Sequence, residues 1–432
     1  MANSRPEAGK PPTPTWVIDE EVLGRYLGNF QRALATHWPN SILGYSFKTN
    51  SLPWLISYMR AHGAWAETVS NSEYDLALAL GFAPDRIVFN GPIKGRDRFR
   101  FALQKGSIVN IDSKREVVWA AELAAEHPDR EFTVGLRANW DLLARSPGDT
   151  VVGGLREGRF GFDLGNGEFD RAIADLTAAG VRVAGLHMHR NSLTQSAEVF
   201  RASAEMAGEI IESRGLTPEW VDVGGGFFGR EEGHPTFDDY VATIRQALDP
   251  FVDATRTRLI VEPGASLVAV PFEFHASVLD TKKINDTTFL VTDVSRTDID
   301  PLFRRQRAFA VEIDTESTRI LPAQVVGGFT LMEDDRITVL ADTPELQVGD
   351  RLEFLRVGGY TMCLQTNFIE FLPAVHVRSN GGYVRVRRPW DVRDVLQGNS
   401  WLEGDQLVDA DTATELPVFP AEELPDARPN AT

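Results

Sequence analysis

Eight short apolar runs, each followed by a stretch of helical spacing, fill residues 42 to 262, and no other feature narrows the possible folds so far. The runs are 42–48 (ILGYSFK), 64–69 (AWAETV), 86–89 (RIVF), 107–111 (SIVNI), 131–137 (EFTVGLR), 182–188 (RVAGLHM), 220–223 (WVDV) and 258–262 (RLIVE). Strand-length runs alternating with amphipathic segments indicate βα units and a parallel sheet. The intervening segments carry helix signals. "SKRE", Ser113–Glu116, reads as a capping box ahead of "VVWAAELAAE". "NSEYDLALALG" and "TQSAEVFRASAEMAGEIIESRG" show helical spacing and end in glycine. Eight units over roughly 220 residues match a (β/α)8 TIM-type barrel. A doubly wound open sheet is the rival, but it would be favoured by a G-x-G-x-x-G turn after the first strand, and none is present.

Past about residue 270 the rhythm changes. "FEFHASVLDTKKI", "TTFLVTDV", "RITVLAD", "GDRLEFLRVGGY" and "GGYVRVRRP" read as strands joined by turns. The expected organisation is an N-terminal segment (1–37) packed partly with the β-rich part, an α/β barrel (38–270), a β-rich C-terminal domain (271–415) and a flexible acidic tail (416–432).

The net charge of −18 argues against nucleic-acid partners and against docking on anionic membranes. One cysteine, Cys363, rules out an intrachain disulfide and any multi-cysteine metal site. The N-terminus has no apolar signal core, and no run approaches transmembrane length. The expectation is a soluble, cytoplasmic protein.

A barrel places its chemistry where strands end. Here those ends carry Lys48, Ser70, Asn90, Asp112, Arg137, His187, His189, the glycines 224–226 and Glu262. Strand alternation puts Ile42, Gly44, Ser46 and Lys48 on one face, with Leu43, Tyr45 and Phe47 on the other. In "DVGGGFFG", Gly224, Gly225 and Gly226 let backbone N–H groups converge as an anion nest; a tight turn is the plainer reading. Glu262, in "VEPGAS", could be a general base, a metal ligand or the partner of a protonated ring nitrogen. His187 and His189 share a side and could bind a metal, but no third ligand of similar quality is evident, so none is expected. Lysine, nest, carboxylate and histidine together point to pyridoxal 5'-phosphate, with the lysine as covalent anchor.

These segments resemble, in order, the motifs of the fold-type III pyridoxal-phosphate-dependent decarboxylases, the diaminopimelate, ornithine and arginine decarboxylase group, whose barrel is related to that of alanine racemase. The resemblance spans roughly residues 14 to 375. "YSFKTN" is similar to Y-x-x-K-x-N and implies that Lys48 is the Schiff-base lysine. "GLHMH" implies His189 over the cofactor ring and Ser192 near its phosphate. "DVGGGF" resembles the phosphate loop, and "VEPG" implies Glu262 at the pyridine nitrogen. "VGGYTM" resembles G-A-Y-T, implying Tyr360 at the phosphate. Family members are homodimers that share active sites, so a homodimer is implied.

Three departures bear on activity. In "GGFTLMEDD", Leu331 stands where the family has a proton-donating cysteine. Ala265 replaces the arginine of E-P-G-R. "DPLF", with Asp300 and Phe303, replaces R-P-x-L-Y, whose arginine grips the distal carboxylate of diaminopimelate. The reading is therefore a carboxy-lyase acting on an amino acid or amino-acid conjugate, free or carrier-bound, but not specific for diaminopimelate. Asp300, Glu333 and Asp334, with Leu331, are candidates to line the substrate pocket, and Asp335 adjoins them; the plainer reading is a solvated charge run. Cys363, Lys48, a held water or a histidine are candidate proton donors. A racemase, a non-catalytic pyridoxal-binding protein and a glycosidase using Glu67 with Glu262 are the alternatives.

Overall fold

The computed structural model describes residues 9–149, 158–229, 235–305, 308–403 and 405–409. The tail expected at 416–432 lies outside them.

Eight parallel strands close on themselves: Ser41–Ser46, Trp65–Thr68, Ile87–Phe89, Ile108–Ile111, Phe132–Asn139, Val181–His187, Trp220–Asp222 and Arg258–Val261. Each pairs with the next, and Leu259–Val261 returns to Ser41–Leu43 to shut the barrel. Phe162–Asp163 adds a short parallel partner to the fifth strand. All eight sequence runs are thus barrel strands, shifted by one or two residues at their ends.

Strand alternation sorts the apolar residues into two cores. Ile42, Val88, Ile108, Ala184, Trp220 and Ile260 form a small separate cluster within the ring of strands. Leu43, Tyr45 and Phe47 belong instead to the large continuous core around the barrel and the second domain. The two faces assigned to the first strand therefore hold as far as Ser46. There the strand ends: Phe47–Thr49 is a 3-10 turn, so Lys48 is not a strand residue as expected. The turn is built by its own sequence. The buried Tyr45 hydroxyl donates to the Asn50 carbonyl at 2.7 Å, and Asn50 Oδ1 accepts Leu52 N–H at the start of helix Pro53–Ala61.

The capping box expected at Ser113–Glu116 does not form. Helix Lys114–Glu126 begins where expected, but the Ser113 hydroxyl caps nothing. Glu116 instead accepts Asp112 N–H at 2.9 Å and buried Lys94 Nζ at 3.1 Å, because an unpaired ammonium there would cost far more than an unmade cap. Ser70 does cap its helix, accepting Glu73 N–H. Helix Ala197–Arg214 ends on Gly215 in the left-handed conformation, φ 60°.

The second domain is a nine-stranded sheet. Its central strand, Thr15–Asp19, lies antiparallel to Phe272–Ile284 and parallel to Ala374–Ser379. Helix Glu20–His37 then leaves the sheet and stacks Phe30 on Phe237 of barrel helix Phe237–Leu248, ring centroids 4.4 Å apart. The stretch read as one strand to Tyr360 is shorter: Arg351–Leu355 is strand, and Val357–Tyr360 is loop. That loop returns to the barrel mouth. Tyr360 N–H donates to the Thr49 carbonyl, one residue from Lys48.

Candidate active site

Lys48 Nζ donates to Ser46 Oγ at 2.9 Å and to Glu67 Oε2 at 3.1 Å. Glu67 is 1% exposed and also accepts Ser46 Oγ at 2.7 Å and Asn90 Nδ2 at 3.0 Å. Asn90 Nδ2 reaches Glu262 as well, and its Oδ1 accepts from Asn110, whose amide also donates to Asp222 at 2.9 Å. Strands one, two, three, four, seven and eight are thereby joined through one polar network above the apolar plug. Closure of the barrel brings residues of these six strands together.

The electrostatics follow from burial. Partial desolvation disfavours the Lys48 ammonium, but Glu67, Glu262 and Tyr360 outweigh that and raise its pKa above the usual lysine value. Asp222 and Glu262 are pushed up by burial, Glu262 also by the carboxylates of Asp222 and Glu67 beside it. A proton held at this pair relieves their repulsion. His189 is pushed down to about 3 by burial and by the Arg137 and Lys48 cations, and His187 also falls well below its usual value. Both rings are neutral at pH 7, lying near-parallel with centroids 6.4 Å apart. Arg137 is locked by Asp112 at 3.0 Å and donates to the His189 carbonyl at 3.3 Å.

The glycine turn is shaped by close approach. A Cβ on Gly224 would lie 2.4 Å from His189, and one on Gly225 would lie 2.3 Å from the Glu262 carbonyl. Gly226, at φ 99°, has nothing within 4 Å of its Cβ position, so the turn opens there. Three converging N–H groups were expected, but Gly224 N–H is turned inward to Asp222 Oδ1 at 2.9 Å. The Pro-Gly after Glu262 has a similar logic: a Cβ on Gly264 would collide with Thr49 of the lysine turn. Ala265 sits against the glycines before Tyr360, a Cβ on Gly359 falling 3.2 Å from its own.

Lys48, His189, Glu262, the glycines and the Tyr360 backbone therefore share one mouth. Cys363 joins them, its Sγ 3.2 Å from the Thr49 carbonyl; burial pushes the thiol up to about 11. Ser192 is engaged elsewhere, with Asp149 at 3.1 Å and with Thr194 and Gln195. Asp300 is buried, and its carboxylate is filled by Arg296 and by the backbone N–H groups of Arg304 and Arg305. It is a structural acid, and the acidic pocket expected from it does not form around it. Leu331, Glu333 and Asp334 stand on an outward loop, with Leu331 84% exposed. Glu333 and Asp334 have φ of 49° and 59°, and buried Asp335 beneath them ties Thr330 and Arg296 N–H.

The residues present fit pyridoxal phosphate: a lysine amine, a buried carboxyl pair, a neutral imidazole whose Nδ1 has no hydrogen bond, and a glycine turn open at Gly226. His187, Asp222 and Glu262 also offer ligand atoms within 4.8 Å of one another, as a metal would need. That reading leaves the lysine and the glycine turn without a purpose.

Asn110 and Asp222 are absent from the sequence expectations, and Glu67 is there only as a glycosidase carboxylate. Glu67 is two residues before the expected end of its strand and faces inward, a signal available in the alternation. Asn110 lies mid-strand and gave no signal.

Residues 25–269 match the family described as "Pyridoxal-dependent decarboxylase, pyridoxal binding domain". The chain is 28% identical over 379 residues to a chloroplastic ornithine decarboxylase of Nicotiana glauca, covering 83% of this chain and 82% of that one. It is 22% identical over 392 residues to a diaminopimelate decarboxylase of Aquifex aeolicus, covering 89% and 90%. Among solved structures, diaminopimelate decarboxylase of M. jannaschii with L-lysine superimposes with a TM-score of 0.77 at 23% identity, covering 89% and 91%.

Proposed function

The chain belongs to the pyridoxal-dependent decarboxylase family, and from that premise we propose that it removes the α-carboxylate of an amino acid or amino-acid conjugate, with Lys48 as the cofactor's covalent anchor. Pyridoxal phosphate is its cofactor, and the enzyme is a carboxy-lyase. The observation that carries the assignment of residues is the convergence of Lys48, Glu67, Asn90, Asp222 and Glu262 in one hydrogen-bonded network.

When bound, the cofactor supplies an electron-withdrawing ring conjugated to the substrate's Cα. The chain's own groups do the rest. Glu67 and Ser46 aim Lys48 Nζ across the mouth. Glu262, paired with Asp222, would hold a proton at the ring nitrogen. Neutral His189 would support the ring without adding charge to it. Gly225, Gly226, Ser192 and Tyr360 are the proposed phosphate contacts, Ser192 by turning away from Asp149.

With Leu331 at the family's cysteine position, Cα must be reprotonated by another group. The Cys363 thiol, protonated at neutral pH, and Lys48 are the candidates at this mouth. Asp300 replaces the arginine that would hold diaminopimelate's distal carboxylate, and Ala265 one that would contact phosphate or substrate, so a different amino acid is proposed. The outward loop of Leu331, Glu333 and Asp334 is proposed to complete the site of a second copy in a homodimer.

The test is a visible absorbance spectrum with added pyridoxal phosphate, followed by CO2 release over amino acids and their conjugates. The expected result is a band near that of an imine, lost in Lys48→Ala, with CO2 released from at least one substrate. A colourless protein unaffected by Lys48→Ala would overturn the assignment. A band with no CO2 from any substrate would favour a racemase or a binding protein.

A further inference from the structure

Inside the barrel Lys48 meets an enclosed network, but on its other side it lines a cavity of about 330 Å3. Phe47, Leu76 and Leu364 give this cavity apolar walls, while Ser51, Ser72, Glu73 and Cys363 give it polar ones. We propose that Glu73, through water held in this cavity, is the positioning base that carries protons between Lys48 Nζ and solvent. This inference rests on the assignment of Lys48 above.

An ammonium has three donors. Two point inward to Ser46 and Glu67, and the latter is buried, fully engaged and cut off from solvent. The outer side is open: the Lys48 side chain is 39% exposed, and the cavity has room for several waters with five polar residues to hold them. Glu73 is fixed at the first turn of helix Asn71–Ala79, its Oε2 accepting Val69 N–H at 2.7 Å. Its Oε1 has no hydrogen-bond partner among the described residues.

The groups facing Glu73 are Lys48 and Tyr45 from the first strand and its turn, Glu67 from the second strand, and Cys363 from the β-rich domain. Burial pushes Glu73 up to about 6, with Glu67 adding to the rise and Val69 N–H and Lys48 opposing it. A carboxyl titrating there exchanges protons readily near neutrality, whereas the Cys363 thiol at about 11 does not. Lys48 must lose a proton before its amine can attack a carbonyl. The proton passes from Nζ to cavity water, from water to Glu73, and from Glu73 to bulk; the free amine's lone pair would then form the C–N bond as the carbonyl's π pair moves to its oxygen, which leaves as water.

The test is the rate at which the apo protein captures pyridoxal phosphate, followed by stopped-flow absorbance across pH. In the wild type the rate should show an inflection near pH 6 that Glu73→Gln abolishes. Glu73→Gln should also be roughly tenfold slower or more near pH 7.5, with the same final band. Its amide oxygen still accepts Val69 N–H, so the helix cap persists. Leu364→Trp, which fills the cavity and leaves Glu73 intact, should slow capture likewise. Unchanged rates and pH profile in both variants, with a normal band, would overturn the inference alone. No band in the wild type would overturn the assignment of Lys48 and this inference with it.

Discussion

A neutral imidazole can lie against a pyridine ring without opposing its positive nitrogen, and His189 is kept neutral by two cations and by burial. This has a cost in acid. The unfolded chain takes up a proton on His189 near its ordinary pKa of about 6.5, which the folded chain refuses until about 3. Stability attributable to this residue therefore declines as pH falls through that window. His189→Gln is expected to flatten the decline, read as urea midpoints at about pH 7 and pH 5; equal slopes in the two proteins would refute it. At this scale Lys48, His189 and Glu262 were legible because strand ends and a glycine turn announce them. Glu73, whose role is proposed above, was not: it lies in the first turn of a helix, where Ser70 accepts its N–H and its carboxylate reaches Val69 N–H. The side facing Lys48 has no signature in sequence.

Two serines ahead of helices look alike in sequence and behave differently as caps. Ser70 accepts a helix N–H, whereas the buried Ser113 hydroxyl has no partner and Glu116 N–H donates to the Ser113 carbonyl at 3.1 Å instead. Ser70→Ala is expected to cost about 1 kcal/mol of stability and Ser113→Ala less than about 0.5, measured by denaturant titration. A larger loss at Ser113 would mean that its hydroxyl caps the helix in solution. The lysine turn makes the same point about elements. Alternation carried the reading correctly to Ser46, but Tyr45 and Asn50 then close the chain into a 3-10 turn, which needs a hydroxyl-to-carbonyl bond that periodicity does not encode.

Across the molecule, the two domains are sewn together by Thr15–Asp19, a central strand of the β-rich sheet supplied from before the barrel. The outward loop carries Leu331 at 84% exposure and Met332 at 39%, and Tyr360, Phe368 and Phe371 are each about two-fifths exposed. On the proposed homodimer, Leu331→Glu should shift sedimentation toward the monomer and lower CO2 release while leaving the absorbance band intact. A variant still dimeric and fully active would remove that loop from the shared site. By itself the sequence determined the barrel, its eight strands to within two residues, the β-rich character of the rest and the residues at most strand ends, because each is encoded by local periodicity and turn chemistry. Only the tertiary structure decided which polar ends meet. It joined Lys48 to Glu67 and Glu262 through Asn90, turned Asp300 inward to Arg296, and opened a cavity between Lys48 and Glu73. The contacts of Lys48, Glu67, Asn90 and Glu262 join residues from different strands, and closing the barrel sets their distances.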